Sequence, residues 1–377
     1  MNGAHGSVNP PGIWRHAGLF HDGGGPARLA VERGWTLGEG DTATESWEDL
    51  AEELGLRRLC LKREDQNPGR SHKDRGLLHQ IAAHRVDPQG HEQPAGAFVL
   101  SSSGNAAVSA AAVCALTGDR LLAFVAPDTD RSKLAALYAS GAEVFVCDKP
   151  MNYARYAARV FGLLDLRGTR DPAAPTGYRS LAAEILEAAP RVGAIVTFSS
   201  SGISMRGLLD GLAAVGRRVP CFAVQAGVSL GLARAAGLEV LDEPDNPAGR
   251  GGIRTPPDAD ELVADLHRSG GGVIVVRREA LLGLAARMEA RSPECGGPLR
   301  TSAEGAAVLA GIAAHADRLR GREVVAVITG HAAQWPERHG HESALGPRDP
   351  ARSVVSDLLD SYQAVRARIC ALGLEPA

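Results

Sequence analysis

AFVLSSSGNAAVSAAAVCALTGDRLLAFV, residues 97–125, reads as a strand, a turn, a helix and a second strand. Ala97–Leu100 is a short apolar run of strand character, and the serines and glycine after it form a turn. Asn105–Thr117 is alanine-rich and predicts a helix, and Leu121–Val125 predicts the returning strand. The same alternation recurs at strands Val144–Cys147, Ala194–Phe198, Cys221–Gln225, Gly272–Val276 and Val324–Thr329. Helices are expected over Arg131–Ala139, Ser180–Ala189 and Glu279–Ala290. The pattern predicts an α/β fold with mostly parallel sheets flanked by helices. Open sheets of this kind bind ligands beyond the carboxyl ends of their strands, so the loops that open helices are where chemistry is expected. Farther along, Leu241–Pro257 reads as a long loop. Thr301 and Glu304 predict a capping box ahead of a helix at Ala306–Ala314. Ser353–Leu372 predicts a tail helix lying on the surface or on a second subunit.

The chain has 377 residues, enough for two subdomains with their own cores. Its net charge of -3 points away from nucleic acid and anionic membrane as partners. Cys60, Cys114, Cys147, Cys221, Cys295 and Cys370 form no CxxC pair, so free thiols in a reducing compartment are expected. The first thirty residues lack the basic start and apolar run of a secretion signal, and no apolar stretch is long enough for a membrane span. A cytoplasmic location is the expectation.

Residues Lys62–Gly76 read KREDQNPGRSHKDRG. A strand-like segment, Arg58–Leu61, precedes them and a helical pattern opens at Lys73. Helix-terminal N–H groups favour anions and disfavour another positive charge, so an amine there is held below its usual pKa. A lysine that forms a Schiff base needs that setting.

This stretch resembles the K-x-E-x-x-N-P-T-G-S-F-K-D-R-G signature of fold-type II pyridoxal phosphate enzymes, the tryptophan synthase beta-like group. Lys62, Glu64, Asn67, Pro68, Ser71, Lys73, Asp74, Arg75 and Gly76 match it. Trp14-Arg15 and Leu37–Thr42 resemble the W-R-Y and L-G-E-G-x-T segments of threonine synthases. The likeness runs from about Trp14 to Gln334. It implies two open parallel-sheet subdomains, residues 1–95 with 190–377 holding the cofactor and 96–189 closing on the substrate. It also implies pyridoxal 5'-phosphate on Lys73, a small amino-acid substrate and a homodimer.

The cofactor's remaining groups need partners as well. By resemblance, Asn105 bonds its phenolic oxygen, while the backbone around Ser102, Ser103, Gly104 and Ala106 holds the substrate carboxylate. Ser200, Ser201, Gly202, Ile203 and Ser204 stand where the family carries a glycine-rich phosphate cradle. Thr329-Gly330-His331 resembles the T-G-H segment whose threonine bonds the pyridine nitrogen, a neutral partner that suits elimination and addition. His331, His339 and His341 have no acidic or cysteine companion at metal-ligand spacing, so no metal is expected.

Three departures stand out. Gly168, Thr169 and Ala174 occupy the positions where the family's Asn-Ser pair and arginine grip a substrate phosphate. Gln334 replaces the lysine after T-G-H-G. Next to the active lysine, Gly69-Arg70-Ser71-His72 replaces Thr-Gly-Ser-Phe. The first two losses remove the charge that would bind a phosphate monoester. Arg70 or His72 is therefore expected to contact a different substrate group, or to act as an acid on a leaving group. The expected enzyme is a lyase or β/γ-replacement enzyme on an activated amino acid, with Lys73 as Schiff base and general base. True threonine synthase is the alternative within the class, and a non-catalytic cofactor-binding pseudoenzyme the alternative outside it.

Overall fold

The computed structural model describes residues 10–20, 23–249, 256–291, 297–331 and 359–377. In chain order its elements are α1 (Gly25–Arg33), β1 (Thr44–Ser46), α2 (Glu48–Glu53), β2 (Arg58–Lys62), α3 (Lys73–His84), β3 (Ala97–Ser101), α4 (Asn105–Thr117) and β4 (Arg120–Val125). They continue with α5 (Arg131–Ala139), β5 (Glu143–Val146), α6 (Pro150–Val160), β6 (Leu164–Asp165), α7 (Arg179–Ala188), β7 (Ala194–Phe198), α8 (Ile203–Ala214) and β8 (Cys221–Ala226). Last come α9 (Gly231–Ala235), α10 (Ala259–Ser269), β9 (Gly272–Val276), α11 (Arg278–Glu289), α12 (Ala303–Ala314), α13 (Ala316–Leu319), β10 (Glu323–Val327) and α14 (Tyr362–Ala371).

These elements build two sheets. The larger has strand order β1-β2-β10-β7-β8-β9, parallel except for β1. The smaller is parallel throughout, in the order β5-β4-β3-β6. Helices cover both faces of each, which is why β7, β8 and β10 are buried along their whole length. On the larger sheet, Val196, Val224, Val324 and Ala326 pack against Ala306 and Leu309 of α12. The opposite face packs Ile195, Val325 and Val327 against Leu181, Met205, Leu208 and Leu266. On the smaller sheet, Phe98, Leu100 and Ala123 meet Leu77, Leu78 and Ile81 of α3. Its other face meets Tyr153 and Ala157 of α6 with Val365 and Ile369 of α14. The tail helix is fastened there by Arg368, which donates to Val144 O at 2.9 Å.

The α/β reading holds, and α4, α5, β7 and β9 have the predicted limits. Two local expectations are corrected. The α12 cap is Ser302, whose hydroxyl accepts from Gly305 N, and the helix opens at Ala303. Thr301 instead donates to Gly330 O at 2.8 Å, and Glu304 accepts from Gly249 N, because a neighbouring loop supplies partners that local sequence does not reveal. Among the described residues the tail helix spans Tyr362–Ala371, and residues 359–361, expected to be helical, are not. Ser361 caps it by accepting from Ala364 N, and Leu359 bridges Cys147 in extended form. Residues 353–358, part of the predicted loop (250–255), Cys295, Gln334, His339 and His341 lie outside the described residues.

Candidate active site

Three predicted site segments emerge from one edge. Val327 is in register with Lys62 on one side and Thr197 on the other, so β2, β10 and β7 end side by side. The chain leaving β2 reaches Lys73, that leaving β10 reaches Thr329, and that leaving β7 enters Ser199–Ser204. Ser71 bridges Gly330, and His72 N donates to Thr329 O at 3.2 Å. Lys73 is the first residue of α3. Ser109 Oγ donates to Asp74 Oδ1 at 2.5 Å, which fastens the first turn of α3 to α4. Asn105, the first residue of α4, stands four residues before Ser109.

Lys73 is half-buried, and among the described residues nothing pairs with its amine. Burial pushes that amine down to about 8. Beside it, His72 Nδ1 lies 3.0 Å from Thr329 O and donates to it, since a carbonyl only accepts. Burial, reinforced by the Lys73 charge, pushes this imidazole down to about 3, so it is neutral at physiological pH. Tyr178 packs its ring 5.5 Å from that of His72. Tyr178 also closes over Gly76, where a Cβ would sit 2.4 Å from the tyrosine ring. That close approach is what the glycine of the KDRG sequence permits. Arg70 is exposed and adopts φ 60°, a left-handed conformation.

The remaining signature residues form a buried framework. Arg75 donates Nε and Nη2 to the two oxygens of Glu64, both at 2.7 Å, and Nη1 and Nη2 to Glu184, also at 2.7 Å. Lys62 Nζ reaches Glu184 at 2.7 Å and Thr42 O at 2.6 Å. Thr42 Oγ1 and Asn67 Nδ2 donate to Glu64, while Gly40 N donates to Asn67 Oδ1. Two cations thus face two carboxylates with their donors and acceptors satisfied, the arrangement in which buried charge is tolerated. Glu184 is the member that sequence reading missed. Its signal was a glutamate beside Leu181 and Ile185 on the apolar stripe of α7, where a solvated residue would not sit.

In the serine loop, Ser199 Oγ is buried and has no hydrogen-bond partner among the described residues. Its backbone is already used, N donating to Val224 O and O accepting from Gln225 Nε2, both at 2.9 Å. Gly202 takes φ 84°, and a Cβ there would lie 2.5 Å from Leu262 Cδ2. It caps α8 without any side-chain acceptor, so the first-turn N–H groups of Ile203, Ser204 and Met205 are left for another acceptor. Gly168, Thr169, Ser201, Gly202, Ile203 and Arg206 line part of a cavity of about 270 Å³ beside this loop. Arg206 is held by ion pairs to Asp265 and Glu261. The α4 start likewise has no side-chain cap. Ser102 Oγ accepts from Gly104 N at 3.2 Å and Ser103 Oγ from Ala126 N at 2.9 Å, which fixes the loop's shape. Thr329 is buried, and its hydroxyl has no partner among the described residues. Among those residues no cluster of His, Cys, Asp or Glu could hold a metal, and no helix is long and apolar enough to cross a membrane.

Residues 35–330 match the family described as pyridoxal-phosphate dependent enzyme. The chain belongs to this family. It is 28% identical over 318 residues to the threonine synthase of Bacillus sp. (strain ULM1), spanning 80% of this chain and 85% of that protein. It is 30% identical over 211 residues to a Sinorhizobium fredii protein provisionally described as a cysteine synthase. That match spans 52% of this chain and 60% of the relative, less than two thirds of its length. The diaminopropionate ammonia lyase of Escherichia coli shares the fold, with TM-score 0.67 at 16% identity over 88% of this chain and 92% of that one. The protein is a fold-type II pyridoxal phosphate enzyme that resembles threonine synthases. The residues present fit that cofactor. An amine and two hydroxyls that have no partner among the described residues, with an uncapped helix start, are the groups that an aldehyde, a ring nitrogen and a phosphate require.

Proposed function

We propose that the protein is a lyase or β/γ-replacement enzyme for an activated amino acid, a paralogue of threonine synthases with altered substrate. The observation that carries this reading is the half-buried, unpaired Lys73 amine, held at about 8 beside neutral His72 and the Thr329 loop. Lys73 holds the cofactor, Thr329 Oγ1 its ring nitrogen and Asn105 its phenolic oxygen. Ser199, Ser200, Ser201, Gly202, Ile203 and Ser204 hold its phosphate. Ser102, Ser103, Gly104 and Ala106 hold the substrate carboxylate at the uncapped start of α4. When bound, the cofactor supplies electron withdrawal at the substrate α-carbon. Lys73 Nζ moves the α-proton, and a pKa near 8 leaves part of it uncharged at neutral pH, as a general base requires. His72 is neutral and commits Nδ1 to Thr329 O, so Nε2 is the atom it can offer substrate. The framework of Lys62, Glu64, Arg75 and Glu184 fixes the start of α3. The unit of residues 96–189 closes on the substrate against residues 1–95 and 190–377. The enzyme works as a homodimer in the cytoplasm.

True threonine synthase is the weaker reading, because Gly168, Thr169 and Ala174 bring no charge to the cavity beside Ser201. A pseudoenzyme would have no need of Lys73, Asn105 and Thr329 together. The test is to purify the holoenzyme, reduce it with borohydride and map the modified peptide, then follow absorbance and released products across an amino-acid panel. The panel holds phosphohomoserine, phosphoserine, O-acetylated hydroxyamino acids and threonine. Cofactor fixed on Lys73, with turnover of a member other than phosphohomoserine, is expected. Rapid conversion of phosphohomoserine to threonine would restore true threonine synthase, cofactor fixed on Lys73 without turnover of any member would favour the pseudoenzyme, and no fixed cofactor would overturn the reading of the site.

A further inference from the structure

Among the described residues two non-glycine side chains have positive φ, Asp41 at 48° and Arg70 at 60°. A left-handed backbone costs an L-residue with a Cβ roughly 1–2 kcal/mol, and such outliers gather at ligand clamps. Arg70 N donates to Asn67 O and Arg70 O accepts from His331 N, so both neighbours of the turn hold this conformation in place. Antiparallel bridges pair Ser71 with Gly330 and Thr301 with His331. Three short segments therefore run side by side, with Arg70 opposite His331 and Arg300 next to Thr301, which pairs with His331 from the other side. Arg70 and Arg300 are exposed, and among the described residues neither guanidinium has a partner. Their charge is felt at His331, which is pushed below its usual pKa by burial first and then by Arg70, with Arg63 and Arg300 adding to it. The nearby Asp65 offsets part of this by pulling the other way, although Arg63 also grips both its oxygens, at 2.9 and 2.8 Å. Chain length keeps Arg70 and His331 close to the reacting groups. Arg70 is three residues from Lys73 and His331 two from Thr329, within about 11 and 7 Å even if fully extended.

We propose that Arg70, with Arg300 and His331, forms an anion-binding rim beside the Lys73 site, so that the amino-acid substrate carries a second anionic group on its side chain. This rests on the reading of Lys73 given above. The rim restores charge that Gly168, Thr169 and Ala174 lack, at a different place. Arg70 is a specificity residue in this proposal and takes no part in bond making.

The experiment measures binding of four probes to the holoenzyme by calorimetry: L-phosphoserine with L-serine, and L-glutamate with L-glutamine. Wild type is expected to bind the anionic member of at least one pair about tenfold or more tightly than its neutral partner, the effect of one charge-assisted contact. The phosphoserine and glutamate arms tell phosphate from carboxylate recognition. Arg70→Gly suits the left-handed backbone, so its melting temperature should equal or exceed that of wild type while the preference shrinks toward unity. Arg300→Ala should reduce the preference in part. No preference in wild type, or one that survives in Arg70→Gly, would overturn the rim. Borohydride mapping separates the two readings. Cofactor fixed on Lys73 without an anion preference sinks the rim alone, whereas no cofactor on Lys73 sinks the reading of the site.

Discussion

Replacing Glu184 by glutamine tests whether the buried framework behind Lys73 is held together by charge balance. In the native protein Arg75 and Lys62 face Glu64 and Glu184, all buried and joined at 2.7 Å. The amide keeps the shape of the carboxylate but removes its charge, and two buried cations are left with one carboxylate. Its NH2 group also turns a donor toward Arg75 or Lys62, both of which only donate. Breaking a buried pair in this way costs about 3–5 kcal/mol, against a total stability of about 5–15 kcal/mol for a typical domain. The assay is urea unfolding of cofactor-free wild type and Glu184→Gln at pH 7, followed by tryptophan fluorescence. A loss below about 1 kcal/mol would refute the argument, since exposed pairs have that worth. The pH dependence supplies a second check. Burial pushes the Glu184 carboxyl up, but Arg75 and Lys62 pull it further down, to well below the usual range. Its contribution is complete above the unfolded value near 4.5 and fades as pH falls below it. The gap between wild type and variant should narrow there.

Other expectations follow from single contacts. Burial of Lys73 disfavours its charged form, so the cofactor-free protein should gain stability as pH rises from about 8 toward 10.5, and Lys73→Met should remove that slope in urea titrations. His72 is held at about 3, so its ring resonances should not titrate by NMR between pH 5 and 8 in the folded protein; a midpoint near the ordinary 6.5 would contradict the buried bond to Thr329. Thr329→Val should weaken cofactor retention about three- to tenfold, the worth of one hydrogen bond, with little change in the melting temperature of the cofactor-free protein. Ser302→Ala should cost about 1 kcal/mol through loss of the α12 cap, measured by the same unfolding assay.

The elements with strong local patterns were legible. Asn105–Thr117 and Ala194–Phe198 needed only alanine content and β-branched runs, and both stand at their predicted limits. Lys73 was legible because a turn, a helix start and a signature coincide within fifteen residues of sequence. What stayed hidden depends on distant partners. Thr301 looks like a cap from its own segment, yet Gly330 O captures its hydroxyl. Glu184 stands on the apolar stripe of its own helix, but the partners that explain it, Arg75 and Lys62, arrive from elsewhere in the chain. Ser199 stood in view within the serine run, but only the packed loop shows that its hydroxyl is the buried, unpaired one. Strand order was hidden for the same reason, since no local signal places Glu323–Val327 beside Arg58–Lys62.

That placement governs when the site can come into being. β10 is the wedge between β2 and β7, and it is synthesised long after either of them. While the nascent chain lacks Glu323–Val327, the loop carrying Lys73 and the loop carrying Ser199 have no shared edge to hang from, and β2 exposes an apolar flank. Capture of the cofactor is thus a late event in the protein's own biogenesis. Acquired colour should report completion of the larger sheet and not merely collapse of its earlier parts.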